Sequence, residues 1–110
     1  MRTYELMVVL QGELEEDEVD SFVELLQSVV TENGGQVIDI EKMGKRRLAY
    51  LIQHQRDGYY VLCHLKLDRL SMSELERRLK LSEQVLRHLL IRLEETEEVS
   101  AETEPEEEGV

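Results

Sequence analysis

Gln36 to Ile52 is the stretch that most limits what this chain can become. It has no helical period, and its apolar positions Val37 and Ile40 fall on different parities, which predicts an extended segment whose alternation breaks. The parity change and Gly44 together predict a bulge or bend near Lys42-Met43-Gly44-Lys45-Arg46-Arg47. Gln53 to Asp57 is polar and ends at Gly58, so the run that follows should return antiparallel as the second arm of a hairpin. That run alternates cleanly: Tyr59, Val61, Cys63, Leu65 and Leu67 face one way, Tyr60, Leu62, His64 and Lys66 the other.

The segments on either side supply what can cover such a hairpin. Tyr4, Leu6, Val8 and Leu10 alternate with Glu5, Met7 and Val9, a strand whose second side is unusually apolar for a solvent face; Gln11-Gly12 ends it. The acidic run Glu13–Glu18 suits a helix start, and Val19, Phe22, Val23, Leu26, Val29 and Val30 then form one apolar stripe that Asn33-Gly34-Gly35 stops. Beyond the hairpin, Ser71 and Glu74 fit a capping box, and Leu70 and Leu75 a hydrophobic staple. The helix they open buries Met72, Leu75 and Leu79 and exposes Arg77, Arg78 and Lys80. Val85 to Leu93 reads as a fourth strand. The order β-α-β-β-α-β is the split βαβ arrangement of an α+β, ferredoxin-like domain: a four-stranded antiparallel sheet with two helices on one face and the other face open. One domain is expected over 1–93, and a disordered acidic tail over 94–110, where nine glutamates leave almost nothing to bury.

The formal charge of −12 argues, taken alone, against a nucleic-acid role, but the charge is segregated. Residues 1–41 hold 11 acids against 1 base, residues 42–93 hold 12 bases against 5 acids, and residues 94–110 hold 9 acids and no base. A basic working surface with acidic flanks follows. Cys63 is the one cysteine, so no internal disulfide forms and a reducing compartment fits. No apolar run approaches the roughly 20 residues that span a bilayer, and the immediate strand pattern at the N-terminus leaves no room for a targeting peptide.

Lys45, Arg46 and Arg47 offer point charge and guanidinium forks to phosphate oxygens, a contact that positions a protein on RNA without reading its sequence. Cations on an edge strand also deter strand addition, and from the residues alone the two readings stand level. Arg2, Arg87 and Arg92 lie on strands near the chain ends and would extend the patch if one sheet presented them together. The open face carries Met7, Val9, Leu62, Leu89 and Ile91, with Tyr60 as its one ring. A base-stacking platform needs two or three rings, whereas an aliphatic patch marks a protein interface. A protein partner is therefore expected on this face, with RNA at its margins.

Enzymatic chemistry is not expected. Cys63 and His64 are adjacent on a strand and point oppositely, no ligand pair has helix spacing, and no metal or cofactor is indicated. Carboxylates at Glu13–Glu18 would repel phosphate where an acylphosphatase-type enzyme needs a cationic cradle, and no phosphate loop or nucleophile elbow appears. The alternative to an RNA role is a ligand-binding regulatory module on the same fold.

Met43-Gly44-Lys45-Arg46-Arg47-Leu48-Ala49-Tyr50, Gly58-Tyr59-Tyr60-Val61-Leu62 and the late Leu79, Leu81, Val85-Leu86-Arg87-His88-Leu89 resemble small-subunit ribosomal protein six of bacteria over residues 1–93. The resemblance implies a structural protein of the small ribosomal subunit that binds rRNA of its central domain. It also implies a heterodimer with small-subunit ribosomal protein eighteen during platform assembly. Carried over by position, it implies RNA contacts at Arg2, Tyr4, Lys45, Arg46, Arg47, Arg87, His88 and Arg92. The place implied is the bacterial cytoplasm, or plastid stroma for an organelle-encoded copy. The chain departs from the family at Leu51, where many relatives carry proline, a change expected to loosen the strand end without touching function.

Overall fold

The computed structural model describes residues 1–93; the acidic segment 94–110, for which disorder was expected, lies outside the described residues. The elements are β1 (Arg2–Gln11), α1 (Glu16–Glu32), β2 (Gln36–Ile52), β3 (Gln55–Leu67), α2 (Arg69–Leu81) and β4 (Val85–Arg92). They form one antiparallel sheet in the order β2-β3-β1-β4. Leu6, Val8 and Leu10 of β1 and Val61, Cys63, Leu65 and Leu67 of β3 are fully buried against Val19, Phe22, Leu26 and Val30 of α1 and Leu75 and Leu79 of α2. The period-two residues of the strands thus meet the stripes of both helices on a single face, and the other face is left without a helix.

Both helix boundaries follow from local chemistry. Glu18 reaches back so that its Oε1 accepts the Glu15 N–H at 2.8 Å, which ties down the first turn of α1. At its end, Gly35 N–H donates to Val30 O (2.8 Å) and Gly34 N–H to Thr31 O (3.2 Å), with Gly34 at φ +91, a Schellman ending as the glycine pair predicts. The start of α2 corrects the sequence reading: the cap is Asp68, not Ser71. Ser71 N–H donates to Asp68 Oδ1 and Asp68 N–H donates to Ser71 Oγ, each at 2.9 Å, so Ser71 is the third residue of the helix. An aspartate accepts such N–H groups as charge-assisted bonds, which is why it displaces the serine. Hydrogen bonds from the Ser71 backbone N–H first, and from its hydroxyl to Asp68 Oδ1 second, hold the Asp68 carboxyl below its ordinary range. Leu70 is 60% exposed and makes no staple, and Glu74 instead pairs with Arg77 at 3.0 Å.

The central hairpin holds three register breaks in its basic arm before the turn, the last of them between Arg47 and Ile52. One falls between Val37 and Asp39 and brings Val37 and Ile40 to the same, helix-facing side, which resolves their conflicting parity. The second falls between Lys42 and Gly44, with Gly44 at φ +92, so the bulge expected beside the basic cluster is present and uses the residue that tolerates it. The turn differs from expectation. Gln53–Asp57 is not a five-residue connection: Ile52 pairs with Gln55, and the loop is Gln53-His54 alone, at φ 52 and 66. Both residues take the left-handed backbone of a type I′ turn without the Asn-Gly that usually advertises one. Replacing Gln53 by Asn and His54 by Gly should therefore add about 1 kcal/mol, which a thermal melt would register as roughly 4–8 °C in Tm. A lowered Tm would contradict that turn.

Candidate nucleic-acid and partner interface

The uncovered face of the sheet is organised in cross-strand rows. Leu62, Met7 and Leu89 stand opposite one another on β3, β1 and β4; Tyr60, Val9 and Arg87 form the next row, and His64, Glu5 and Ile91 the row on the other side. Leu89 is 54% and Ile91 45% exposed, so the apolar side chains expected on this face are on it. Val9 is the correction: it lies on the face but is only 4% exposed, covered by a second, smaller cluster of Leu48 and Leu86 with Ile52 and Tyr60 packed against it. Met7, Val9, Tyr60, Arg87, His88 and Leu89 line a shallow hollow of about 180 Å³ there.

That second cluster explains how the basic arm reaches the face. Arg46, Leu48 and Tyr50 alternate on β2; Arg46 stands opposite Gly58, Leu48 is buried on Val9 and Leu86, and Tyr50 Oη accepts a hydrogen bond from Arg87 at 2.9 Å. Since β2 and β4 are the two outer strands, that bond means the hairpin arm bends across the open face towards the far edge. Gly58 permits the bend: a Cβ there would stand 2.5 Å from Val9 Cγ1 and 3.1 Å from Leu48 Cδ2.

The cations divide into groups that sequence did not separate. Lys42 is engaged: its Nζ lies 3.1 Å from Glu16 Oε2 and also bonds Asp20 Oδ1, both on α1, and these bonds, Asp20's first, hold the ammonium firmly charged. Tyr59 Oη donates to the same Glu16 at 3.0 Å; burial first and that bond second raise its pKa. Lys45, Arg46 and Arg47 are exposed and form no ion pair among the described residues. Arg87 shares the open face with Arg46. Arg2 and Arg92 do not join them. Arg92 stands opposite Tyr4 and Arg2 opposite the core residue Leu67, so with Tyr4 they take the helix-side parity at the far end of β1, and His88, opposite Val8, shares it. The expectation that one sheet presents Arg2, Arg87 and Arg92 as a single patch is corrected: the ladder from Arg87 to Arg92 is unbroken, and strict alternation puts residues five apart on opposite faces.

Tyr50 was missed from sequence, although its shared parity with Leu48 and Arg46 carried the signal. An acidic corner was missed too: His64 Nδ1 lies 2.8 Å from Asp39 Oδ1 and its Nε2 3.8 Å from Glu5 Oε1, with Glu41 opposite Leu62. Cys63 is fully buried, and burial, aided by Asp39, pushes its thiol up to about 12, so it is an inert core residue. Among the described residues no helix is long and apolar enough to cross a membrane.

Comparison with known proteins finds relatives over nearly the whole described domain. The profile of the family described as Ribosomal protein S6 matches residues 3–92. "Small ribosomal subunit protein bS6" of Thermoanaerobacter pseudethanolicus is 42% identical over 86% of this chain and 100% of its own length. The protein of the same name from Desulforamulus reducens is 41% identical over 84% of this chain and 97% of its own. In the solved structures, 30S ribosomal protein S6 of Thermotoga maritima superposes with a TM-score of 0.79 at 27% identity, covering 84% of this chain and 87% of that one.

Proposed function

The chain belongs to the Ribosomal protein S6 family, and from that premise we propose that it is a structural, non-catalytic constituent of the small ribosomal subunit that holds rRNA and a protein partner at once. The observation that carries this reading is one sheet face whose middle is aliphatic, at Met7, Leu62, Leu89 and Ile91, and whose margin carries the exposed cations Arg46 and Arg87, neither in an ion pair among the described residues. The apolar middle takes the partner, small-subunit ribosomal protein eighteen, with Tyr60 at its edge and Val9 supporting from beneath. Arg46 and Arg87 from the open face, and Lys45 and Arg47 from the other side of Arg46's edge strand, meet phosphates of the central-domain rRNA. Arg2, Tyr4 and Arg92 form a second contact at the opposite end of β1, and His88, opposite Val8, adds to it on the same helix-side parity further along the strand. The working domain is 1–93, and 94–110 is an acidic appendage to it.

No bond is made or broken in such a role. Phosphate neutralisation releases counterions and makes binding salt-dependent, while apolar burial against the partner is worth roughly 1.5–3 kcal/mol per large side chain. Sharing one RNA between two bound proteins converts the second contact into an intramolecular one. Leu62→Glu with Leu89→Glu should weaken heterodimer formation by about a hundredfold or more, measured by calorimetry, and leave the melting curve of the isolated chain close to unchanged. Undiminished affinity in that variant would place the partner elsewhere.

A further inference from the structure

We propose that the acidic segment 94–110 docks on the cationic arm of the central hairpin, at Lys45, Arg46 and Arg47, and competes there with RNA. This deepens the RNA-binding reading above by naming a regulator of the same surface. Segment 94–110 carries 9 glutamates and no base. The arm carries three consecutive cations with no ion pair among the described residues, and Arg56 follows on the returning strand. No other site in the described chain has that density of free positive charge. Lys42 is occupied by Glu16 and Asp20, and on α2 Arg77 is paired with Glu74, which leaves Arg78 and Lys80 there, two cations separated by the buried Leu79.

Reach is not limiting. The described chain ends just after Arg92, where Leu93 N–H bonds Thr3 O at the end of β4 opposite the hairpin turn. The domain measures 40 × 31 × 20 Å, and seventeen residues extend up to roughly 56 Å at about 3.3 Å each. Tethering gives such a segment an effective concentration of about millimolar order at the arm. Weak, salt-screened ion pairs then suffice to occupy the cations when RNA is absent, and the far denser charge of RNA displaces them. The device suppresses loose contacts with arbitrary polyanions and leaves the full rRNA site able to win.

The full chain with Ser100→Cys, spin-labelled at that cysteine while Cys63 stays buried, tests the docking directly. At about 50 mM salt, amide signals of residues 45–47 should broaden selectively, and at about 0.5 M they should recover. Uniform broadening, or broadening centred on α2, would overturn the proposal. A second arm uses a short RNA of arbitrary sequence. Removing 94–110 should tighten its binding about tenfold at low salt, and most of that gain should vanish when Lys45, Arg46 and Arg47 are all glutamine. An equal gain in both backgrounds would mean that the segment acts only through net charge, which also overturns docking. Selective broadening does not require the hairpin to bind RNA, so failure of the RNA reading and failure of the docking remain distinguishable.

Discussion

Replacing Arg46 and Arg87 together by glutamate is expected to weaken binding to small-subunit rRNA by about a hundredfold or more near 0.1 M salt. The slope of log affinity against log salt should fall by about one and a half units, the share of two phosphate contacts. Both side chains are exposed, so the fold should survive, and a melting curve checks that. Arg87 also donates to Tyr50, so the variant releases the end of the hairpin from β4 as well as removing charge. Lys42→Gln supplies the contrast. Its ammonium is held by Glu16 and Asp20 on the helix side, and its loss should leave the salt slope where it was. Equal effects from the two variants would show that net charge, not placement, governs the interaction.

Gly58→Ala is the second large expectation. The residue does not sit at a positive φ, so backbone strain is not the reason for glycine; space is. A methyl group 2.5 Å from Val9 Cγ1 and 3.1 Å from Leu48 Cδ2 must push one of them away, and overpacking of that kind costs about 1–3 kcal/mol. The displaced element is the arm that carries Arg46, Leu48 and Tyr50. RNA affinity should therefore drop along with stability, even though no charge is altered. Val9→Ala in the same chain removes the clashing methyl. The double variant should be more stable than the sum of the two single losses predicts, a coupling that chemical denaturation can read. Strict additivity would mean the arm does not rest on Val9.

How far the sequence revealed this depends on what kind of interaction each part uses. The sheet, both helices and the apolar open face were legible, because they rest on periodicity: Leu6-Val8-Leu10 in strand register and Val19-Phe22-Leu26-Val30 in helical register leave few other arrangements. The bulge at Gly44 was legible because glycine marked it. The turn was not, since Gln53 and His54 adopt left-handed backbone without a residue type that announces it. The cap of α2 was misplaced because aspartate and serine are both good caps and only geometry chooses between them. The cationic surface was legible as composition and illegible as placement. Nothing local distinguishes Lys42, which α1 neutralises, from Lys45 three residues on, whereas strand alternation by itself puts Arg87 and Arg92, five apart, on opposite faces.

A salt series of filter-binding titrations on central-domain rRNA, run with this chain alone and then with small-subunit protein eighteen present, reads both functions of the open face at once. Tighter binding in the presence of the partner, lost when Leu62 and Leu89 are glutamate and independently weakened when Arg46 and Arg87 are, is the predicted result. Affinity that ignores the partner, or that falls for the apolar pair without the partner present, would contradict a surface built of a greasy docking centre and a cationic RNA margin.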